Sequence, residues 1–392
     1  MKYRVTIYCP DQHLLYEGRT PDEQGVGGGV TARIRLAQAL VRLGHEVSVI
    51  ANVPRCHVYA GVRFQPLAET GGIDTDILVL NTTGGRLDLS PVLGLQVKNR
   101  WREVWIGGVS PVGGLEEVNY DLLIVPSNFI HGVVRDQWRV PAHRIFVAYN
   151  GFQNYKKRFR LRPNPRRNLY RLVYTGHPSK GLETARAILR LTRMEDPRFE
   201  LHIFGGNRLW GGVEQEVEQE AGVFYRGLVG QRRLAEELKQ SSVLLSLQSI
   251  PEAFGISVVE AMAAGNLVIA SPVGALGEII RDGHDGFLVA GDHGQEDTQK
   301  RVAALILDLL RCPERAGKIR RSAMRAPMDW DTIARAWEGR WRWALEGGAE
   351  PGRAPNVDDR CICPECGGAQ LRLEDGGHCT RCGKFERELK GS

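Results

Sequence analysis

Two α/β domains, each a parallel sheet covered by helices, with a small cysteine-knuckle module after them, are what this sequence predicts. Three observations lead there. Short β-branched runs alternate with amphipathic helical segments along most of the 392 residues. A basic, proline-bearing stretch interrupts that rhythm once, near the middle. Five of the eight cysteines crowd residues 361–392. Strand–helix alternation with continuous apolar strands argues for parallel sheets buried on both faces, and the length accommodates two ordinary cores.

The first series runs through residues 1–155. Tyr3–Tyr8 reads as a strand and Thr31–Leu43 as a helix, with Ile34, Leu36, Leu40 and Leu43 near helical spacing. Gly44 and His45 make the turn into a strand at Glu46–Ala51. Asp76–Leu80, Val104–Ile106, Leu122–Val125 and Ile145–Val147 continue the strands. Lys156–Leu172 then holds eight basic residues and no acid, which marks the domain boundary. The second domain is read as 156–329. Its strands are Leu172–Thr175, Glu200–Phe204, Val223–Tyr225, Val243–Leu247 and Leu267–Ala270. Its helices are Leu182–Met194, Gln231–Lys239, a segment around Ser257–Ala264, and Gln299–Arg311. A last helix at 330–346 carries Trp330, Ile333, Trp337, Trp341 and Ala344 along one side, the stripe of a helix packing back on the core. Residues 347–360 form a linker and 361–392 the terminal module.

Composition narrows the class. Hydrophobic residues make up 42% and charged residues 25%, ordinary for a soluble globular chain. No apolar run is long enough for a transmembrane helix, and Met1–Pro10 lacks the features of a signal peptide. A cytoplasmic location is expected. Removing the eight bases of 156–172 takes the formal charge from +6 to −2, and the terminal module holds five acids and five bases. No nucleic-acid partner is expected from that balance. The Lys156–Arg171 run, with the segment Trp101–Trp105, raises peripheral contact with an anionic membrane at its inner face. Cys9, Cys56 and Cys312 are expected as small buried hydrophobes.

Two segments carry chemistry. Gly25-Val26-Gly27-Gly28-Gly29-Val30-Thr31 follows the first strand and leads into a helix. Glycines let backbone approach a phosphate, and a helix N-terminus supplies N–H groups and a positive dipole end. Neither a P-loop nor a complete dinucleotide fingerprint is present, since the lysine of the one and the ribose-binding acid of the other are missing. A nicotinamide-dependent oxidoreductase is disfavoured for the same reason. The second segment is Pro251–Gly265. Glu252 falls in a strand-to-helix loop at the C-terminal edge of the sheet, where open α/β sheets bind ligands. Glu260 falls about a turn into the following helix, and Phe254, Gly255 and Ile256 present amides at its N-terminus.

With those residues in place, the sequence resembles the retaining glycosyltransferases of family 4, which have the GT-B fold of two facing Rossmann-like domains. Glu252 and Glu260 reproduce the family's glutamate–seven residues–glutamate pattern. Gly27, Gly28 and Gly29 match its N-terminal glycine loop, and Gly44-His45-Glu46-Val47 the start of its second strand. Asp121–Phe129 with Asn150-Gly151, and Leu267–Leu288 with Glu278, match further segments, so the resemblance covers about residues 1–345. It implies a nucleotide-diphosphate sugar as donor, Glu260 on the ribose hydroxyls and Glu252 on a hydroxyl of the donor sugar. Lys180 matches the lysine that neutralises the leaving diphosphate, so that transfer needs no divalent metal. The implied activity is a hexosyltransferase-like, retaining transfer to a glycan, lipid or small-molecule acceptor of unknown identity. Two departures stand out. His177 occupies the place of the family's arginine in a shortened loop, and the N-terminal domain shows Asn81-Thr82-Thr83 and Gly107-Gly108-Val109-Ser110 where many relatives have a histidine. They keep open a catalytically inactive, transferase-like scaffold that recruits a partner through the terminal module.

In that module Cys363 and Cys366 are followed, after twelve intervening residues, by Cys379 and Cys382. Paired C-x-x-C knuckles at this spacing fit a tetrahedral structural Zn2+. Cys361 is an alternative to Cys363, and His378 adjoins the second knuckle. A module this small needs the metal to fold, and as a zinc ribbon it is a candidate site for a protein partner.

Overall fold

The computed structural model describes residues 1–82, 87–155, 164, 166–213, 219–326 and 328–347, with short backbone strands at 370–373, 376–379 and 385–386. β1 (Arg4–Tyr8) runs through the middle of the first sheet and is followed by α1 (Thr20–Glu23), α2 (Gly28–Arg42), β2 (Glu46–Ala51), β3 (His57–Tyr59) and β4 (Val62–Pro66). Then come β5 (Gly72–Asp74), β6 (Ile77–Asn81), β7 (Gln96–Lys98), β8 (Trp101–Trp105), β9 (Leu122–Val125), α3 (Asn128–Asp136) and β10 (Ile145–Val147). Eight of these strands form one sheet, ordered β10-β9-β8-β6-β1-β2-β4-β3, while β5 and β7 pair separately. Every ladder is parallel except the edge pair β3–β4. α2 begins three residues before the sequence pattern does, with Gly28 and Gly29 inside its first turn. Residues Val30–Leu40 are all buried, so its arginines lie in the interior with its leucines.

The second sheet is built from β11 (Arg171–Gly176), β12 (Glu200–Gly205), β13 (Val223–Gly227), β14 (Val243–Ser246), β15 (Leu267–Ala270) and β16 (Phe287–Leu288). All its ladders are parallel, in the order β13-β12-β11-β14-β15-β16. Its helices are α4 (Leu182–Glu195), α5 (Gln231–Gln240), α6 (Ile256–Ala263), α7 (Leu276–Ile279), α8 (Glu296–Arg311) and α9 (Pro313–Ala323). The chain then returns to the first domain as α10 (Trp330–Glu346), which packs on α2. Trp330, Ile333, Trp337 and Trp341 enter the first domain's core, where Trp337 meets Trp105 edge-on at 5.2 Å.

Three sequence readings change. Trp101 and Trp105 are buried in β8, an interior strand, and present no aromatic surface to a membrane. Within the basic run, Arg171 is buried against Glu237, and Arg167 donates to the Ala264 carbonyl at 2.7 Å. Those two charges hold the fold; 156–163 and 165 lie outside the described residues. Cys9 is buried as expected, whereas Cys56 and Cys312 are exposed. Among the described residues no helix is long and apolar enough to cross a membrane.

In the terminal module, β17 (Gln370–Leu373), β18 (Gly376–Cys379) and β19 (Phe385–Glu386) form a three-stranded antiparallel sheet. Cys363, Cys366 and Cys382, with Cys361, lie outside the described residues, and Cys379 is described only as the last backbone position of β18.

Candidate functional site

Two helix N-termini converge on one cleft between the sheets. Gly27 caps α2 and Gly255 caps α6, and neither helix has a side-chain cap. Gly27, Gly28, Gly255, Ile256 and Ser257 line a cavity of about 180 Å³. First-turn amides without a capping oxygen are ready donors to an anion, reinforced by the dipole. Gly255 is left-handed (φ 95°), a conformation that costs other residues strain.

Lys180 reaches the same cavity from the loop after β11. Gly181 behind it is left-handed and packs so close to Leu247 that an added Cβ would lie 3.0 Å from that residue's carbonyl carbon and closer to its oxygen. This seats Lys180 opposite Glu252, with 2.6 Å between Nζ and Oε1. Gln248 Nε2 donates to the same Glu252 oxygen at 3.1 Å. The His177 ring stacks on Trp210 at 3.9 Å, with its Nδ1 2.8 Å from the Ser179 hydroxyl. The Lys180 ammonium lies 5.7 Å from the centre of the Trp210 ring.

Glu260 projects from α6 into the cavity. Burial pushes its carboxyl up to about 7, against the pull of Arg35 and of a hydrogen bond from the Gln231 amide. Gln231 belongs to α5, at the N-terminal end of which the second domain meets the first. Its Oε1 accepts from Arg35 Nε of α2 at 2.8 Å, across the domain boundary. Arg35 also binds Asp22, Gln38 and Tyr155.

A second bridge holds the loop that carries Glu252. Ser127, the N-cap of α3, accepts from Ile130 N and donates through Oγ to the Ala253 carbonyl at 2.7 Å. Glu278 of α7 accepts from the amides of Asn128 and Phe129 at 3.0 Å each, from Asn128 Nδ2 at 2.9 Å and from the Tyr149 hydroxyl at 2.8 Å. A carboxylate on the first amides of a helix is favoured by the dipole as well as by the hydrogen bonds.

The structure thus brings Gly27, Gly28, His177, Lys180, Glu252, Gly255, Ile256 and Glu260 to one cavity. Gly29 lies in adjoining cavities on the first domain's side. Phe254 is buried, packs on Tyr149 and lines the adjoining cavity together with Lys180, Glu252, Gly255 and Ile256. Arg35, Gln231 and Trp210 were not foreseen. Arg35 had a visible signal, a cation at a position that shares the buried register of α2, whereas Gln231 and Trp210 had none.

Comparison with solved structures defines the class. The chain superposes on sucrose-phosphate synthase (tll1590) of Thermosynechococcus elongatus with a TM-score of 0.61, 17% identity and coverage of 88% of this chain and 100% of that one. Anabaena Alr3699/HepE, solved in complex with UDP and glucose, gives 0.56, 16%, 86% and 99%. The fold is GT-B, two α/β domains with parallel sheets facing across a cleft. Residues 154–325, less than half of the chain, match the family model described as Glycosyl transferases group 1. The D-inositol 3-phosphate glycosyltransferase of Streptomyces scabiei is 39% identical over 114 residues, which cover 29% of this chain and 25% of that protein. The phosphatidyl-myo-inositol mannosyltransferase of Mycolicibacterium smegmatis is 32% identical over 163 residues, 40% of each. The chain therefore spans a quarter to two fifths of the length of these relatives.

Proposed function

We propose that the protein is a retaining glycosyltransferase that moves a sugar from a nucleotide-diphosphate donor to an acceptor hydroxyl. The observation that carries this reading is the convergence of Lys180, Glu252 and Glu260 on one cleft with two helix N-termini. Glu260 takes the ribose hydroxyls, Lys180 with the amides of Gly27, Gly28 and Ile256 takes the diphosphate, and Glu252 takes a hydroxyl of the donor sugar. The bond from the anomeric carbon to the β-phosphate oxygen breaks as the acceptor oxygen bonds to the same face of that carbon. The acceptor proton leaves on the β-phosphate oxygen. Negative charge develops on that oxygen, and preorganised cations and N–H groups stabilise it most where water is excluded. Lys180 provides this without a divalent metal. A diphosphate must compete with Glu252 for the ammonium, which couples the arrival of the phosphate to the release of Glu252 toward the sugar. That neighbours of the fold were solved with UDP and with UDP and glucose supports a nucleotide-sugar donor.

Thermal-shift screening with UDP, GDP and ADP, followed by donor hydrolysis and transfer assays on wild type and Lys180→Ala, tests the proposal. Turnover should fall by about 100-fold or more in the variant, the scale of losing one preorganised charge. Equal, negligible turnover in both would favour the second reading, a catalytically inactive scaffold. The observation on its side is His177, which stacks on Trp210 where the resemblance implies an arginine.

We propose separately that the terminal module is a zinc ribbon. Four thiolates from Cys363, Cys366, Cys379 and Cys382 suit zinc by donor type and spacing, and the bound ion would hold the knuckles around β17–β19. Elemental analysis of the full chain should give one zinc, lost in Cys363→Ser and Cys379→Ser; a metal-free wild type would refute it. Docking of a protein partner on this module rests on the same assignment. Peripheral membrane contact now rests on the basic run alone, and co-sedimentation with anionic vesicles at low salt tests it.

A further inference from the structure

Arg35 spends all of its donors on fixed partners. Nε goes to Gln231 Oε1, Nη1 to Asp22 Oδ2 at 3.1 Å and Gln38 Oε1 at 2.9 Å, and Nη2 to Asp22 Oδ1 at 2.8 Å and the Tyr155 hydroxyl at 2.9 Å. The Tyr155 and Tyr59 hydroxyls also donate to Asp22, at 3.0 and 3.2 Å. The Arg35 side chain is 2% exposed. This is a satisfied buried network, and such networks define one geometry.

Its consequence falls on Gln231. An amide side chain has an acceptor end and a donor end, and it can turn either toward a neighbour. With Oε1 committed to a guanidinium that can only donate, Nε2 must point the other way, and it donates to Glu260 Oε1. A carboxylate has two oxygens, and one of Glu260's is thereby assigned to the protein. The backbone reinforces the approach. A Cβ on Gly230 would lie 2.5 Å from the Asp22 carbonyl carbon, and one on Gly25 would lie 2.8 Å from that of Val229. Only glycine allows the first domain this close to α5.

We propose that Arg35 of the first domain is a positioning residue for ribose recognition in the second. By fixing the Gln231 amide it orients Glu260 toward the ribose hydroxyls, so that preference for a ribonucleotide depends on contact between the domains. The inference rests on Glu260 being the ribose ligand. It adds a residue that touches no part of the nucleotide, carried by the domain opposite.

The test compares UDP, GDP and ADP with their 2′-deoxy counterparts by isothermal titration, using wild type, Arg35→Lys and Gln231→Leu. Gln231→Leu leaves the Arg35–Asp22 pair in place and guards against misfolding from an unpaired Asp22. Wild type should prefer the ribonucleotide by about tenfold or more, as expected for one hydrogen bond to a charged group. Both variants should bring that ratio to within about threefold of unity, with affinity for the deoxynucleotide changed by less than about threefold. A preserved ratio in the two variants would overturn the inference while leaving the donor site intact. So would an equal loss for both nucleotides, the mark of a purely structural role. No response of wild type to any of the three, or a response without ribose preference, would overturn the reading of Glu260 and the inference with it.

Discussion

Replacing Gly230 by alanine isolates the contact between the domains from the fold of either. Gly230 has φ −61°, which any residue adopts, so the new methyl adds no backbone strain. What it meets is backbone of the other domain. The Cβ would lie 2.5 Å from the Asp22 carbonyl carbon and 2.9 Å from that of Glu23. Carbon atoms pack at roughly 3.5–4.0 Å, so the two segments must separate by roughly 1 Å. Gln231 is the next residue along, and its 2.8 Å bond from Arg35 would then stretch to about 3.8 Å, beyond hydrogen-bond range.

A hydrogen bond to a charged group contributes about 1.5–3 kcal/mol, equivalent to a roughly 10- to 100-fold change in an equilibrium constant. Nucleoside-diphosphate affinity, measured by isothermal titration, should fall by that factor in Gly230→Ala. The melting temperature should move little, because both hydrophobic cores are untouched. Gly339→Ala is the matched control. It lies inside α10, nothing stands within 4 Å of its added Cβ, and it should leave affinity unchanged. Affinity within twofold of wild type in Gly230→Ala would refute the claim that the first domain sets the nucleotide site.

Three further outcomes are expected. Glu260 has a carboxyl raised to about 7 by burial, and only its ionised form accepts from both ribose hydroxyls, so affinity should drop by up to about tenfold per pH unit below 7 and level off above it. Glu260→Gln should flatten the part of that profile that the phosphates do not account for, and a wild-type profile flat from about pH 5.5 to 8.5 would count against the assignment. Gly181→Ala places a Cβ at φ 91° against the Leu247 carbonyl. Left-handed strain of about 1–2 kcal/mol and overpacking of about 1–3 kcal/mol should lower the melting temperature by several degrees or more, read by calorimetry. Glu278→Gln keeps the shape but removes the charge from the α3 N-terminus, and it should raise the donor KM while costing about 1–2 kcal/mol of stability in denaturant titration.

The sheet rhythm is legible in the sequence because burial on both faces forces apolar runs; Glu252 and Glu260 stand out through their strand-to-helix segment, and Lys180 only through the family resemblance. It was less informative where three dimensions decide. The helical pattern pointed to Thr31, but α2 starts at Gly28, since glycines in a first turn leave no apolar signal. The Trp101–Trp105 segment suggests membrane contact, yet β8 is an interior strand whose Trp105 packs on Trp337 of α10 within the first domain's core. α9, which the sequence reading does not include, starts at Pro313, a residue compatible with a helix's first turn. Gln231 looked like an ordinary polar residue at a helix start. Its meaning comes from Arg35, 196 positions away.

That separation bears on how the site is assembled. The side chains assigned to the donor belong to the second domain, while the first adds the amides of Gly27 and Gly28 and orients both glutamates: Glu252 through the Ser127–Ala253 bond beside it, Glu260 through Arg35 and Gln231. The chain crosses between the domains twice, and the crossings run side by side, with Phe152 N donating to Met328 O at 3.0 Å and Trp330 N to Phe152 O at 3.3 Å. Gly151 fits there only because it lacks a Cβ, which would stand 2.7 Å from Trp330 N. Any relative rotation of the domains has to pivot about this paired segment, because it is where the covalent connections lie. Trp330, Ile333, Trp337 and Trp341, which follow immediately, are buried in the first core and anchor the pivot on that side. Rotation about it would change the Arg35–Gln231 and Ser127–Ala253 distances together. Domain position and the aim of the two glutamates are therefore one coordinate, and a donor that needs both carboxylates selects the arrangement in which both bridges are formed.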